Sequence, residues 1–266
     1  CDLLASVTLP DHITEIASYA FQEFTKCYAN FGTETAEALA KSQCRFWNGD
    51  LAYQYKNGED DITGLSVVGC DPQVTSVVVP DGVINISDSA FANCSLLTSV
   101  TLPEGLTSIS YGAFQWCSAL TSVTLPEGLT SIGEGTFQGC WNLANVTLPD
   151  SLTRIGNSAF EGCSSLISID LPDGVTVIED VAFGACGSLT HVGLPRTLTS
   201  IGNSVFRYCF QLMDVTLPEG LISIGDSVFT ETRICKLVLP STIQVIGESV
   251  VAESEGGVSI ICKAKD

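Results

Sequence analysis

Leu97-Thr98-Ser99-Val100-Thr101-Leu102-Pro103-Glu104-Gly105-Leu106-Thr107-Ser108-Ile109-Ser110-Tyr111-Gly112-Ala113-Phe114-Gln115-Trp116-Cys117 is the stretch from which the rest of the chain can be read. Its final residue recurs every 23 residues, at Cys94, Cys117, Cys140, Cys163, Cys186 and Cys209. Phe91, Phe114, Phe137, Phe160, Phe183, Phe206 and Phe229 keep the same step, as do the prolines from Pro80 to Pro218. A fixed period of this length marks a solenoid, in which each unit buries its apolar face only by stacking on its neighbours. The length of 266 residues would otherwise suggest two globular domains, but a solenoid grows by adding units and needs no second core.

Within the unit, Leu97, Val100 and Leu102 fit a short strand with Val and Leu inward and Ser99 and Thr101 outward. Pro103 stops that strand, because it cannot donate to a continuing ladder. Gly105 gives the turn, and Leu106, Ile109, Phe114 and Cys117 return to the core. The pattern LxxVxLPxGLTSIGxxAFxxC resembles the leucine-rich repeat of the BspA type, without a break over residues 74–251 and again at 1–24. That resemblance implies a leucine-rich repeat solenoid of the right-handed α/β type. Its parallel β-sheet would line the concave face, with irregular or short helical turns on the convex face. Strands stacked about 4.8 Å apart would make the array from Pro80 to Pro240 roughly 35–40 Å long.

The spacing divides the chain into three parts: 1–24, the end of an upstream array; 25–73, an insertion; and 74–266, the main array. An irregular set of repeats within one continuous solenoid is the alternative for 25–73. Thr33 to Lys41 is Ala-rich, with Glu early and Lys late, and predicts a short helix. Phe46 to Gly58 alternates and ends in Asn-Gly, a hairpin signal, with a second strand near Asp61 to Val68. Cys1 to Pro10 aligns with Cys94 to Pro103, so the chain is expected to open in mid-repeat. Val258 to Cys262 reads as a further strand with no polar cap after it.

Acidic residues outnumber basic ones by 30 to 11, for a formal charge of −19. This excludes nucleic acid and anionic membrane surfaces, which need basic patches. It is compatible with a basic protein partner or with a solvated surface that has none. No apolar run approaches the roughly 18 residues of a membrane span, so direct membrane insertion is not expected. Asp81, Glu104, Glu127, Asp150, Asp173 and Glu219 form a column just after the prolines, interrupted by Arg196. Carboxylates about 5 Å apart repel by roughly 0.8 kcal/mol in bulk water, so the column is either a solvated face or a stripe for a basic partner or weakly held divalent cations.

Each column cysteine stands alone in its repeat, without the short spacing of a metal site, and reads as a small buried hydrophobe. Cys27, Cys44, Cys70, Cys235 and Cys262 lie off the column, and Cys27–Cys44, flanking the expected helix, is the candidate disulfide. Asn85, Asn93 and Asn145 head glycosylation triplets that also arise by chance in such a composition. Enzyme motifs are nearly absent, with only His12 and His191 to build on. Gly156-Asn157-Ser158-Ala159-Phe160 recurs in repeat register at Gly202 and is read as a turn, not a nucleophile elbow. No cofactor or metal is implied.

The outward sheet positions are hydroxyl-rich as far as Thr147 and varied beyond it. Ile167, Asp170, His191, Arg196, Met213 and Asp214 are therefore the candidate protein-binding residues, varied side chains on a regular scaffold. Trp116, Trp141, Tyr208 and Phe210 offer a second, aromatic surface. The resemblance implies a non-catalytic module for adhesion or protein contact, secreted or at the cell surface. The alternative is a structural or scaffolding subunit of a larger assembly, membrane-associated or inside a cell or organelle.

Overall fold

The computed structural model describes residues 6–13, 26–29, 46–57, 62–253 and 257–263. Most regular units contribute two short strands and a run of tight turns. The first strand of each unit stacks in parallel on its neighbours, in the order Ser76–Val78, Ser99–Thr101, Ser122–Thr124 and Asn145–Thr147. Ser168–Asp170 with His191–Gly193, and Lys236–Leu239 with Ser259–Cys262, continue this ladder as parallel pairs. Val100, Val123, Ile169 and Val192 point inward and their neighbours outward, as a period of two requires. Asp214-Val215-Thr216 keeps that alternation but is not paired as a strand.

A second ladder was not foreseen. The Ser-Ile dipeptide that follows the Pro-acid-Gly turn is itself a strand. Ser131–Ile132, Arg154–Ile155, Val177–Ile178, Ser200–Ile201, Ser223–Ile224 and Val245–Ile246 form a six-stranded parallel sheet. The step is 23 residues until the last pair, where Ser223 meets Val245 after 22.

The helical turns expected beyond the second strand are absent among the described residues. Gly112, Ala113, Phe114, Gln115, Trp116 and Cys117 show why. Ala113, Gln115 and Cys117 donate locally, to Ser110, Gly112 and Phe114, while Gly112, Phe114 and Trp116 donate to the next unit, at Glu134, Thr136 and Gln138. Half of the N–H groups thus bond between units, and Gly112 and Trp116 sit at φ 57° and 62°. Left-handed residues four apart cannot continue an α-helix.

The core is built of columns. The seven phenylalanines stack with ring centroids 4.8–5.7 Å apart and planes within 5–11° of parallel. All are fully buried. Offset ring pairs add roughly 0.5–1.5 kcal/mol each beyond their buried area, so the column rewards strict repetition of one residue type.

At the other end a seven-stranded sheet runs Ser6–Thr8, Lys26–Tyr28, Phe46–Asn48, Leu51–Asn57, Ile62–Cys70, Val83–Ile86, Ser108–Ile109. The expected hairpin is present between Leu51–Asn57 and Ile62–Cys70. Phe46 to Gly58, however, is not one strand. Asn48 pairs with Leu51 around a turn at Gly49, φ 62°, so the segment folds back once more. The sequence holds two Asn-Gly pairs, and both lie at strand ends. Ile62–Cys70 then pairs in parallel with Val83–Ile86, joining the meander to the second ladder. The helix expected at Thr33 to Lys41 and the Cys27–Cys44 disulfide lie outside the described residues.

Candidate functional site

The first ladder places four of the six candidate binding residues near one another. Ile167 and Met213 occupy the same position two units apart and are 57% and 55% exposed. Thr190 stands between them, and both its N–H and its hydroxyl donate to the Ile167 carbonyl, at 2.8 and 3.1 Å. His191 Nε2 lies 3.3 Å from Asp170 Oδ1. Gly193 makes that contact feasible. It stands opposite Asp170 in the register, and a Cβ there would come within 2.2 Å of Asp170 Oδ1. Ser168 faces His191 in the same register. Asp170 nevertheless takes the Nε2 nitrogen, and both side chains of the pair are mostly exposed, so no nucleophile–base relay results.

Asp214 is exposed beside Met213. Arg196 is exposed at the corner after Pro195, in the place that Asp173 and Glu219 hold in their units, and apart from the Ile167 column. The patch therefore presents apolar side chains beside an ion pair, on a backbone fixed from both sides.

The six acidic-column residues are all exposed. Two of their carboxylates are bonded to the following turn: Glu127 accepts from the Asp150 N–H at 3.0 Å, and Glu219 from the Ser241 N–H at 3.0 Å. Lys263 lies 2.5 Å from Glu219. That ammonium, and then the Ser241 N–H, hold the Glu219 carboxyl below the usual carboxylate range. Among the described residues no cluster of three or more His, Cys, Asp or Glu side chains could hold a metal ion.

The cysteine column is a packing device with a polar thread. Cys117, Cys140, Cys163, Cys186 and Cys209 each donate a thiol hydrogen to the phenylalanine carbonyl of the preceding unit, at 3.1–3.3 Å. The same carbonyl accepts the N–H of its own unit's cysteine. Burial pushes Cys140 and Cys209 up to about 12 and Cys163 and Cys186 well above the usual thiol range, so the thiols stay protonated. Cys70 joins this column, although its spacing of 24 residues set it apart in the sequence. It is half-buried, its thiol donates to the Asp71 carbonyl at 3.4 Å, and the neighbouring Cys94 thiol together with burial raises its pKa.

A BspA type leucine rich repeat region matches in six copies, over residues 1–39, 68–150 and 130–256. The chain belongs to the BspA-type leucine-rich repeat family. Three solved structures share the fold of this BspA-type protein. A leucine-rich repeat protein from Bacteroides ovatus is 25% identical, with a TM-score of 0.62, over 82% of this chain and 71% of that one. The T. pallidum leucine-rich repeat protein is 28% identical, with a TM-score of 0.50, over 74% and 80%. A leucine-rich repeat protein from Eubacterium ventriosum is 22% identical, with a TM-score of 0.61, over 87% and 66%, and speaks to the fold alone. No curated protein sequence matches the chain.

Sequence reasoning missed a second polar column in this BspA-type array. Asp180 accepts from Asn203 N–H, Asn203 from Asp226 N–H and Asp226 from Glu248 N–H, at 2.7–2.8 Å. Gly202 and Gly225 allow the approach, since a Cβ on either would come within 2.6 Å of the preceding unit. The signal was there in the periodic Asn and Asp two residues after the second-strand Ile. Its partner is the main chain of another unit, which only the stack reveals. Asn85, head of a glycosylation triplet, is likewise engaged, with its amide nitrogen on Ser66 and Ser87 and its oxygen accepting from Ser108.

Proposed function

We propose that this chain is a non-catalytic protein-binding module of a secreted or cell-surface protein, acting in adhesion. The main array, 74–266, carries the contact through Ile167, Asp170, His191, Met213 and Asp214, with Arg196 at the rim. The observation that supports this most is the exposure of Ile167 and Met213 at one position, beside the first-ladder segment, two units apart. Large apolar side chains held exposed at the rim of a rigid sheet gain nothing from the fold and favour a contact. The flanking Asp170–His191 pair gives that contact a polar edge, as binding surfaces usually have. The acidic column would serve a basic partner by steering its approach, and a divalent cation only weakly.

The test is alanine substitution of the six residues, compared with alanine at Thr101, Ser122 and Thr124 on the same sheet. The readout is capture of surface or matrix proteins from the source organism's environment, followed by measured affinity for the captured protein. The six-residue variant should lose affinity and the control should keep it. Equal loss in both, or in neither, would refute the site. Protease shaving of intact cells tests the placement, because a surface protein is removed and an internal one is not.

A further inference from the structure

Trp116 and Tyr208 occupy the same place in their units, four repeats apart, in the left-handed turn just before the column cysteine, at φ 62° and 63°. At Tyr208 the preceding residue is Arg207, whose guanidinium carbon lies 4.5 Å from the ring centroid. The Arg207 Nε is buried without a hydrogen-bond partner, so the ring face and the nearby Glu231 carboxylate are what attract that cation. This turn is thus shaped to place an arginine over an aromatic face, and one repeat of the chain already does so internally.

At Trp116 the preceding residue is Gln115. Its amide bonds to Gln138, and Gln138 donates to the Glu161 carboxylate at 2.7 Å, so the row ends in a negative charge. Trp141 stands edge-on to Trp116, with centroids 6.0 Å apart and planes at 74°. The two indoles are 41% and 52% exposed. Trp116 is also held in place. Its ring lies against Gly139, where a Cβ would come within 2.2 Å of it. Between Lys56 and Arg154 the sequence contains no lysine or arginine and ten carboxylates. The field around this corner is therefore negative, and indole is the side chain that attracts cations most strongly through its face.

We propose that Trp116 and Trp141 form a docking point for an arginine side chain of a partner polypeptide, reproducing between molecules what Arg207 and Tyr208 do within the chain. Arginine fits better than lysine because its planar, weakly hydrated guanidinium stacks on an aromatic face. The site shares no residue with the sheet face, and its success or failure is independent of the function proposed above.

The experiment uses the whole chain and a fluorescein-labelled hexa-arginine peptide, followed by fluorescence anisotropy at low salt, with hexa-citrulline as the neutral analogue. The arginine peptide should bind and the citrulline peptide should bind far more weakly. Trp116→Leu and Trp141→Leu should each weaken binding by about two- to fivefold, the range of an exposed cation–π contact. Gln115→Arg should supply an internal occupant and weaken binding more than Ser99→Arg, which adds the same charge on the sheet face. If both leucine variants keep a native circular dichroism spectrum and bind the peptide as the parent does, the proposal is overturned. Equal effects of Gln115→Arg and Ser99→Arg would overturn it too, and that pair decides the matter if a leucine variant fails to fold.

Discussion

Replacing Cys140 with alanine removes one sulfur from the middle of the thiol column, and the structure sets the cost. The side chain is fully buried, and its thiol donates to Phe114 O at 3.1 Å. Losing the sulfur forfeits a transfer free energy close to that of one methylene, about 0.8 kcal/mol. The space left behind adds roughly 0.5 kcal/mol, because units stacked on both sides restrict collapse. A weak hydrogen bond contributes roughly another 0.5 kcal/mol. Phe114 O keeps its bond from Cys117 N–H at 3.2 Å, so no orphaned acceptor enlarges the penalty. Together these predict a loss of about 2 kcal/mol, read as a fall of roughly 0.7 M in the urea midpoint by far-UV circular dichroism in reducing buffer. Cys140→Ser should cost at least as much, since the shorter C–O bond draws the donor away from the carbonyl while a hydroxyl is buried. A Cys140→Ala variant with the parent midpoint would refute the packing argument. So would mass spectrometry that finds Cys140 disulfide-linked to Cys117 or Cys163.

Thiol titration with an aromatic disulfide reagent should find Cys235 and Cys262, both exposed, reacting at once. The column thiols from Cys117 to Cys209 should react only after unfolding, and fast labelling of Cys163 in the native protein would contradict their burial. Glu219 has its folded pKa lowered by Lys263 and the Ser241 N–H. Its contribution to stability is therefore fully present above the unfolded value of about 4.3 and is lost as pH falls through the lower folded value. Glu219→Gln should accordingly melt below the parent at pH 6 and converge with it near pH 3, whereas a constant difference across that range would refute the pairing. Reversing Glu104, Glu127 and Asp150 to lysine should leave the fold intact, because all three are exposed. It should weaken a basic partner and flatten the salt dependence of its binding; unchanged binding across salt would make the column a solvated face only.

The columns were legible in the sequence because one length condition governs them all. Phe114 and Pro103 recur through seven units and Cys117 through six, before Thr232 takes its place, so their burial could be read from spacing alone. What escaped was everything decided between units. Ser108–Ile109 is too short to announce itself as a strand, and it becomes one only by pairing with Val83–Ile86. The expected helical turn failed because alternate N–H groups bond to the next unit, a choice that no local propensity encodes. Asp170 and His191 were both expected at the binding face, but their contact depends on Gly193, whose missing side chain is a feature of the neighbouring strand. Cys70 was set apart by a single residue of spacing, yet the meander delivers its thiol to Cys94.

The double use of the carbonyls of Phe91, Phe114, Phe137, Phe160 and Phe183, each by a cysteine N–H from its own unit and a thiol from the next, makes this bonding the same from one of these units to the next. A 23-residue segment copied into the run, or deleted from it, would leave these backbone and thiol bonds matched at the seam. A segment of 22 or 24 residues would not. The two places where the chain takes those lengths, from Ser223 to Val245 and from Cys70 to Cys94, bracket the uniform stretch. Between them the array is a substrate for growth by duplication, in which reach can change in whole steps while the surface of each new unit is free to diverge.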